Sequence, residues 1–577
     1  MHMKKIIIFY LSICLLNFLS NVAVAQVPSA QQASGQEGLR QLEEKNKKLQ
    51  EKLNQKKQEP IQEVLQPTAP TSNKVLESEK IEITRIDFKG NKTIADEDIR
   101  KITSPFEGKK LSFADMQKIV DLITDAYRSK GFITSRAILV PQNLKDQILQ
   151  IQIIEGLMGD LQVKNNHYFK KSLFIKRFSL KKGEIFNYNQ VRDDLNLINQ
   201  YPDRNVKTII TPGQNPGETD VVLEIKDRLP VHVGFAYDNF GSRYIGKNRL
   251  TGTLTDNNLL GFDDILSLQY QGTDAARYQL NLLRYLFPVT KMSDLGVYAA
   301  KNKVQIGKEF ESINARGKSI LYGIFLNNNI YNNNNLKVQF NLGMDYKDVF
   351  NFQSGAETSR DRIRIAKLAW NVDYMDPFLG RNILNNEVHF GIPNIMSGLD
   401  DVDSRSSRIG AGGEFTKDIL DYLRLQNLPL EASLLIKFQA QFSSTILPAT
   451  EQYQLGGISN VRGFASGEAV GDSGESFTSE LSLPFYFIPR SLKVPYYSKA
   501  TFYEALKGAV FYDWGHAKLR NAQSGESKER ILDDLGVGIR FTLPENCFLR
   551  LDFAWPVTGR PSDGHNEHTW LQITKEF

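Results

Sequence analysis

At 577 residues the chain is too long for one ordinary globular domain and leaves room for three or four units. Its formal net charge is +5, and Lys4 and Lys5 contribute two of those charges, so the balance excludes nucleic-acid binding as a main task. Mean hydropathy is −0.35 and no stretch after the N-terminus forms a long apolar helix, which leaves a periplasmic, secreted or transmembrane β-barrel protein.

The N-terminus reads as a signal peptide over residues 1–25. Lys4-Lys5 precede an apolar run from Ile6 to Leu19, and Ala23-Val24-Ala25 supply a small-x-small cleavage site before Gln26. Ile13 stands where a lipoprotein signal needs a small residue before Cys14, and the mature chain keeps only Cys547, so no internal disulfide is expected. Residues 26–59 carry a helical segment, with Leu39, Leu42, Leu49 and Leu53 in a/d register. It is either a solvated amphipathic helix or one that docks into a pore or onto a partner. Pro60, Pro67 and Pro70 then mark a linker over 60–79.

Two α+β modules follow, at 80–156 and 157–228. The first has a strand at Ile81–Phe88, helices at 95–102 and Ser112–Ser129, and strands at 134–140 and 147–155; the second repeats this β-α-α-β-β order loosely. That order, with Gly90-Asn91, the helix exit from Tyr127 to Phe132 and the Ile154-Glu155-Gly156 junction, resembles tandem polypeptide-transport-associated (POTRA) domains. The resemblance implies exposed sheet edges that accept an extended chain by strand addition.

From 229 to 577 the period becomes 2. Val231, Val233, Phe235 and Tyr237 alternate with polar or small residues; so do Leu535, Val537, Ile539 and Phe541 with Gly536, Gly538 and Arg540, and Leu549, Leu551 and Phe553 with Arg550 and Asp552. Roughly 350 residues at about 10 per strand plus connections allow on the order of 16 antiparallel strands. The fold class is therefore mainly β, a transmembrane antiparallel barrel behind two α+β domains. Asn327–Asn329 and Asn332–Asn335 are expected to form a polar turn.

Within this region Leu455-Gly456-Gly457-Ile458-Ser459-Asn460-Val461-Arg462-Gly463-Phe464 is a Gly-punctuated loop, and Phe511-Tyr512-Asp513-Trp514-Gly515 lies in a strand. Phe511, Asp513 and Gly515 share one face; if Val510 and its neighbours meet lipid, Asp513 points inward and needs a partner. Arg462 is the expected partner, Gly463 the expected sharp turn, and Phe464 the anchor of the tip. In a wet lumen such a pair is worth only ~1 kcal/mol.

Val461-Arg462-Gly463-Phe464 followed by Phe511-x-Asp513-x-Gly515 resembles the signature of outer-membrane barrels that insert or secrete proteins. Tyr237-Asp238-Asn239-Phe240-Gly241, Glu451-Gln452-Tyr453-Gln454-Leu455-Gly456-Gly457 and Gly471-Asp472-Ser473-Gly474 narrow the resemblance to two-partner secretion transporters, the TpsB family of haemolysin- and haemagglutinin-type exporters. Asn258-Leu259-Leu260-Gly261 departs from the family's Asn-Pro-Leu-Gly type of turn. The resemblance implies an outer-membrane channel with periplasmic POTRA domains that exports a large exoprotein, unfolded in transit. Its other partners are outer-membrane lipid and the outer-membrane assembly machinery. It implies no enzyme activity, cofactor, metal or nucleic acid. The rival readings are an outer-membrane protein assembly factor and a passive porin. Gly471-Asp472-Ser473-Gly474 imitates a serine-protease segment without a supporting His, and His565 with His568 is too small a set for a metal site.

Overall fold

Period-2 alternation can satisfy every backbone donor in lipid only if the strands close on one another. The computed structural model describes residues 80–577 apart from 334, 496, 524 and 545. The expected signal peptide, N-terminal helix and linker lie outside the described residues. Two compact units are present: residues 80–231 with 256–264, and residues 232–255 with 265–577.

In the first unit, β1 (Ile81–Ile83), β2 (Arg85–Lys89), α1 (Asp96–Thr103), β3 (Lys109–Leu111), α2 (Phe113–Ser129), β4 (Arg136–Leu139) and β5 (Ile148–Ile154) come first in the chain. Sheet order is β2-β5-β4, with β1 paired to β3 apart from it. The expected single strand at Ile81–Phe88 is thus two, broken at Thr84, whose N–H and hydroxyl both donate to the Gln147 carbonyl. Ser112 and Asp115 form a reciprocal capping box that starts α2, and Met116, Ile119, Ile123 and Tyr127 bury its inner face. The three sequence marks of this module meet at one carboxylate. Glu155 Oε1 accepts from the Lys92 and Thr93 N–H groups after the Gly90-Asn91 turn, at 2.8 Å each, and from the Tyr127 hydroxyl at 2.9 Å. Burial works against its charge, but these donors outweigh it and hold the carboxyl below its ordinary range.

Next come β6 (Leu157–Lys164), α3 (Lys171–Arg177), α4 (Tyr188–Asn199), β7 (Arg204–Pro212) and β8 (Glu218–Asp227), with sheet order β6-β8-β7 over a core of Phe169, Phe174, Phe186 and Val221. Segment 256–264 is held in the same unit: the buried Asp263 pairs with Arg204 and, at 2.6 Å, with Arg177.

The second unit is a closed barrel of sixteen strands. They are β9 (Val231–Asp238), β10 (Arg249–Asp256), β11 (Ile265–Thr273), β12 (Tyr278–Pro288), β13 (Ser293–Gln305), β14 (Arg316–Asn332), β15 (Leu336–Gln353), β16 (Ala356–Met375), β17 (Gly380–Gly391), β18 (Phe415–Asn427), β19 (Ser433–Ser443), β22 (Ser473–Pro484), β25 (Leu506–Lys518), β26 (Glu529–Leu543), β27 (Cys547–Thr558) and β28 (His568–Glu576). Two short hairpins interrupt the series, β20 (Tyr453–Leu455) with β21 (Ala469–Gly471) and β23 (Lys493–Val494) with β24 (Tyr497–Thr501). β28 pairs antiparallel with β9, placing Ile573 opposite Tyr237, so the last strand removes the edge of the first. The expected polar turn at the asparagines is smaller than the run of them: β14 continues through Asn332, with a register shift between Asn329 and Tyr331. Ladder pairing to β15 overrides the weak strand preference of Asn. Outward positions such as Val510, Leu535 and Val537 are exposed, while Phe511, Asp513 and Asp534 are buried inside.

Candidate functional site

The segment from 444 to 472 joins β19 to β22 and folds back into the barrel. Two glycines in the left-handed region, Gly456 (φ 106°) and Gly457 (φ 89°), make the reversal, which most side chains would resist. Gly457 N–H donates to the carbonyls of Val461 and Phe464, both at 3.0 Å. Asn460 Oδ1 accepts from the N–H groups of Gly456 (2.8 Å) and Val461 (2.9 Å). This closed turn presents Arg462 at its tip, with Val461 and Phe464 fully buried beside Leu455, Ala517 and Leu532.

Arg462 is 2% exposed. Its Nε donates to Asp513 Oδ2 at 2.6 Å and its Nη2 to Asp513 Oδ1 at 3.0 Å, a bidentate pair. Nη1 donates to Glu480 at 2.7 Å and to Asp552 at 3.2 Å, and the guanidinium lies 3.3 Å from the Phe511 ring centroid. The main chain is gripped as well. Trp570 Nε1 donates to the Arg462 carbonyl at 2.7 Å, and Gly463 N–H donates to Asp534 at 2.6 Å. Around this centre Arg540 pairs with Glu480 and Asp552, and Arg550 with Asp552. Inward faces of β22, β25, β26, β27 and β28 therefore converge on one loop residue.

Two glycine roles differ from expectation or go beyond it. Gly463 does not turn in the left-handed region; a Cβ there would sit 2.5 Å from the Asp534 Cβ and 3.0 Å from the Pro556 nitrogen, so close approach is what excludes a side chain. A Cβ on Gly515 would meet only the ends of Leu455 (2.2 Å) and Val461 (3.1 Å). Gly463→Ala should consequently unseat the tip, while Gly515→Ala should be absorbed by a rotation of Leu455. In detergent-solubilised protein, trypsin should cut after Arg462 at least tenfold faster in the first variant and about as slowly as wild type in the second; equal rates would reject the close-approach account.

A second cluster ties down the base of the same loop. Glu451, fully buried, pairs with Lys347 of β15 at 3.0 Å and Lys417 of β18 at 2.7 Å. Asp472 at the other end pairs with Arg408 and accepts from the N–H groups of Leu447 and Arg520, both at 2.8 Å. The protease-like Gly471-Asp472-Ser473-Gly474 is thus a loop anchor, and its Ser473 hydroxyl accepts from the Ser443 N–H at 3.0 Å. His568 lies 3.0 Å from Asp563 and stacks on Trp570. The period-2 pattern assigns Arg540, Arg550 and Asp552 to the polar face without saying which residue they meet. Glu480 and Asp534 carry no motif, and only an inward position on a strand marks them; Glu451 opens the segment that runs into Gly456-Gly457, and Trp570 lies in the terminal strand, but neither motif says that its side chain meets the loop or its anchors.

A family model described as haemolysin secretion/activation protein ShlB/FhaC/HecB matches residues 217–541, and one described as POTRA domain, ShlB-type, matches residues 81–156. The heme/hemopexin transporter protein HuxB of Haemophilus influenzae (strain 86-028NP) is 22% identical over 92% of this chain and 94% of its own length. The outer membrane transporter CdiB of Dickeya dadantii (strain 3937) is 23% identical over 75% of this chain and 76% of its own. Among solved structures, CdiB from Escherichia coli aligns with a TM-score of 0.69 at 18% identity, covering 96% of this chain and 100% of that one, a likeness of fold.

Proposed function

Because the chain belongs to the haemolysin secretion/activation family, whose model covers more than half of it, we propose that it is the outer-membrane channel of a two-partner secretion pair, carrying one large exoprotein from periplasm to cell surface. The single observation behind this reading is the loop tip at Arg462, clamped inside a sixteen-strand barrel by side chains from three strands. A barrel of that width holds an aqueous path, and a seated loop is a gate in it. The POTRA domains face the periplasm and take the unfolded exoprotein along a sheet edge. β7, nine residues long at the border of the β6-β8-β7 sheet, is the longest edge in that unit. Strand addition uses main-chain hydrogen bonds and makes little demand on sequence, as an unfolded cargo requires. No nucleotide is available at that membrane, so folding outside draws the chain forward by removing it from the equilibrium. Arg462, Asp513 and the Val461–Phe464 turn form the gate, and Phe511 and Gly515 shape its seat.

The test is deletion of the gene in the bacterium that carries it, followed by assay of large exoproteins in the periplasm, at the cell surface and in the medium. The expected result is exoprotein retained in the periplasm with other outer-membrane proteins at normal levels. A general fall in outer-membrane proteins would make the chain an assembly factor. Slower small-solute uptake with normal secretion would make it a porin.

A further inference from the structure

Strands β14, β15 and β16 are 17, 18 and 20 residues long, well past the ~10 that cross a bilayer. Their outward residues, with those of β13, form rows across the ladder. Val297, Ile324, Met344 and Ala366 make an apolar row. One step toward the long-loop end lie Ala299, Tyr322, Tyr346 and Arg364, the arginine buried where it donates to the Met396 carbonyl; then Lys301, Ile320, the buried Asp348 and Arg362; then Lys303, Lys318, Phe350 and Arg360. The surface changes from hydrocarbon-like to aromatic to basic, the order met on leaving a membrane. The basic rows lie roughly 7 to 13 Å along the strands beyond the tyrosines, at about 3.4 Å per residue.

The cations are not merely a rim common to the whole barrel. At the long-loop ends of β18, β19 and β22 the outward positions are Asp418, Phe442 and Glu475. On β13 to β16, by contrast, Lys301, Lys303, Arg316, Lys318, Arg360 and Arg362 face only Asp348 and Glu357 in the same rows. Those two acids orient the arginines: Arg360 bonds Glu357 at 2.7 Å, and Arg362 and Arg364 lie 3.6 and 2.9 Å from Asp348. Phe350 sits between Arg360 (4.9 Å) and Lys318 (5.8 Å), keeping both side chains flat against the wall. Lys301 and Lys303 are exposed and make no ion pair among the described residues. Oriented guanidiniums beside exposed ammoniums, on the outward wall beyond the tyrosine row, suit several phosphates on one amphiphile.

We propose that the outward face of β13 to β16 beside the long loops binds the phosphate groups of an anionic glycolipid of the outer leaflet. The acyl chains lie along the Ile324 and Met344 row, and the phosphates meet Lys301, Lys303, Lys318, Arg360 and Arg362. This rests on the reading that the long-loop end faces the cell exterior; it does not depend on the cargo.

The experiment uses the full chain in a neutral detergent, titrated with bisphosphorylated lipid A and followed by native mass spectrometry. Lys301→Gln/Lys303→Gln/Lys318→Gln should bind at least tenfold more weakly than wild type, and fully dephosphorylated lipid A should bind neither. Lys301→Gln/Lys303→Gln, at exposed positions alone, should show a smaller loss in the same direction, so a folding defect in the triple variant cannot decide the matter. Equal affinity of wild type and both variants would overturn the proposal. Full competition by inorganic phosphate at matched phosphate concentration would overturn the lipid assignment in favour of a free-anion site. Phosphatidylglycerol, instead of glycolipid, copurifying from cells would overturn the outer-leaflet assignment and the orientation with it. Normal lipid binding in a chain that fails to export its exoprotein would uphold this site and reject the secretion reading.

Discussion

Arg462→Ala should leave the barrel inserted and heat-modifiable while secretion falls at least tenfold. The sixteen-strand ladder closes through β28 and β9 without help from the loop, so insertion does not need the arginine. The gate does. Arg462 is 2% exposed and meets Asp513, Glu480 and Asp552, so the solvent screening expected for a wet lumen does not apply. Breaking a buried pair of this kind costs about 3–5 kcal/mol, because the carboxylates left behind stay buried. That exceeds the ~1 kcal/mol of a screened pair, and it is enough to shift a loop between seated and released positions by more than a hundredfold. Arg462→Lys keeps the charge without the bidentate fork and should fall between. Arg462→Ala combined with Asp513→Ala should lose less than the sum of the two single losses. Single-channel recordings should show larger, noisier openings in Arg462→Ala. Failure of that variant to insert would make the loop a folding element and defeat the gate mechanism.

Glu451→Ala should have the second largest effect, at the base of the loop. It removes the carboxylate shared by Lys347 and Lys417, both almost wholly buried, and two ammonium groups then repel each other inside the barrel. A cost of about 3–5 kcal/mol is expected, as for any buried charge deprived of its partner. The loss should appear as a lower midpoint for the heat-modifiable mobility shift and as faster proteolysis within 444–452. Adding Lys417→Met to Glu451→Ala should restore part of the stability, since one lysine then has less like charge beside it. Glu451→Gln keeps a hydrogen-bond acceptor and should be milder. No change in either readout for Glu451→Ala would show that Asp472 and Arg408 hold the loop base unaided.

The features legible from the residues alone are local or periodic. Alternation of apolar and polar residues from 229 onward determined a barrel of about sixteen strands and which face of β25 carries Asp513, because side-chain direction in a strand has a period of two whatever its neighbours do. Gly456-Gly457 marked a reversal, and Val461-Arg462-Gly463-Phe464 put one cation near its tip, with Asp513 as an inward carboxylate to receive it. The rest depends on how the strands assemble around the ring. Glu480, 18 residues on, and Asp534, Asp552 and Trp570, 71 to 108 residues on, meet Arg462 or its neighbour from four different strands, and Glu451 finds Lys347 more than a hundred residues away. Periodicity states a face but not a height, and height follows from the stagger of sixteen strands around a closed ring. Gly463 shows the same limit at a single position: a sequence shows that a side chain is missing, but the close approach that excludes one exists only where Asp534 and Pro556 arrive from β26 and β27.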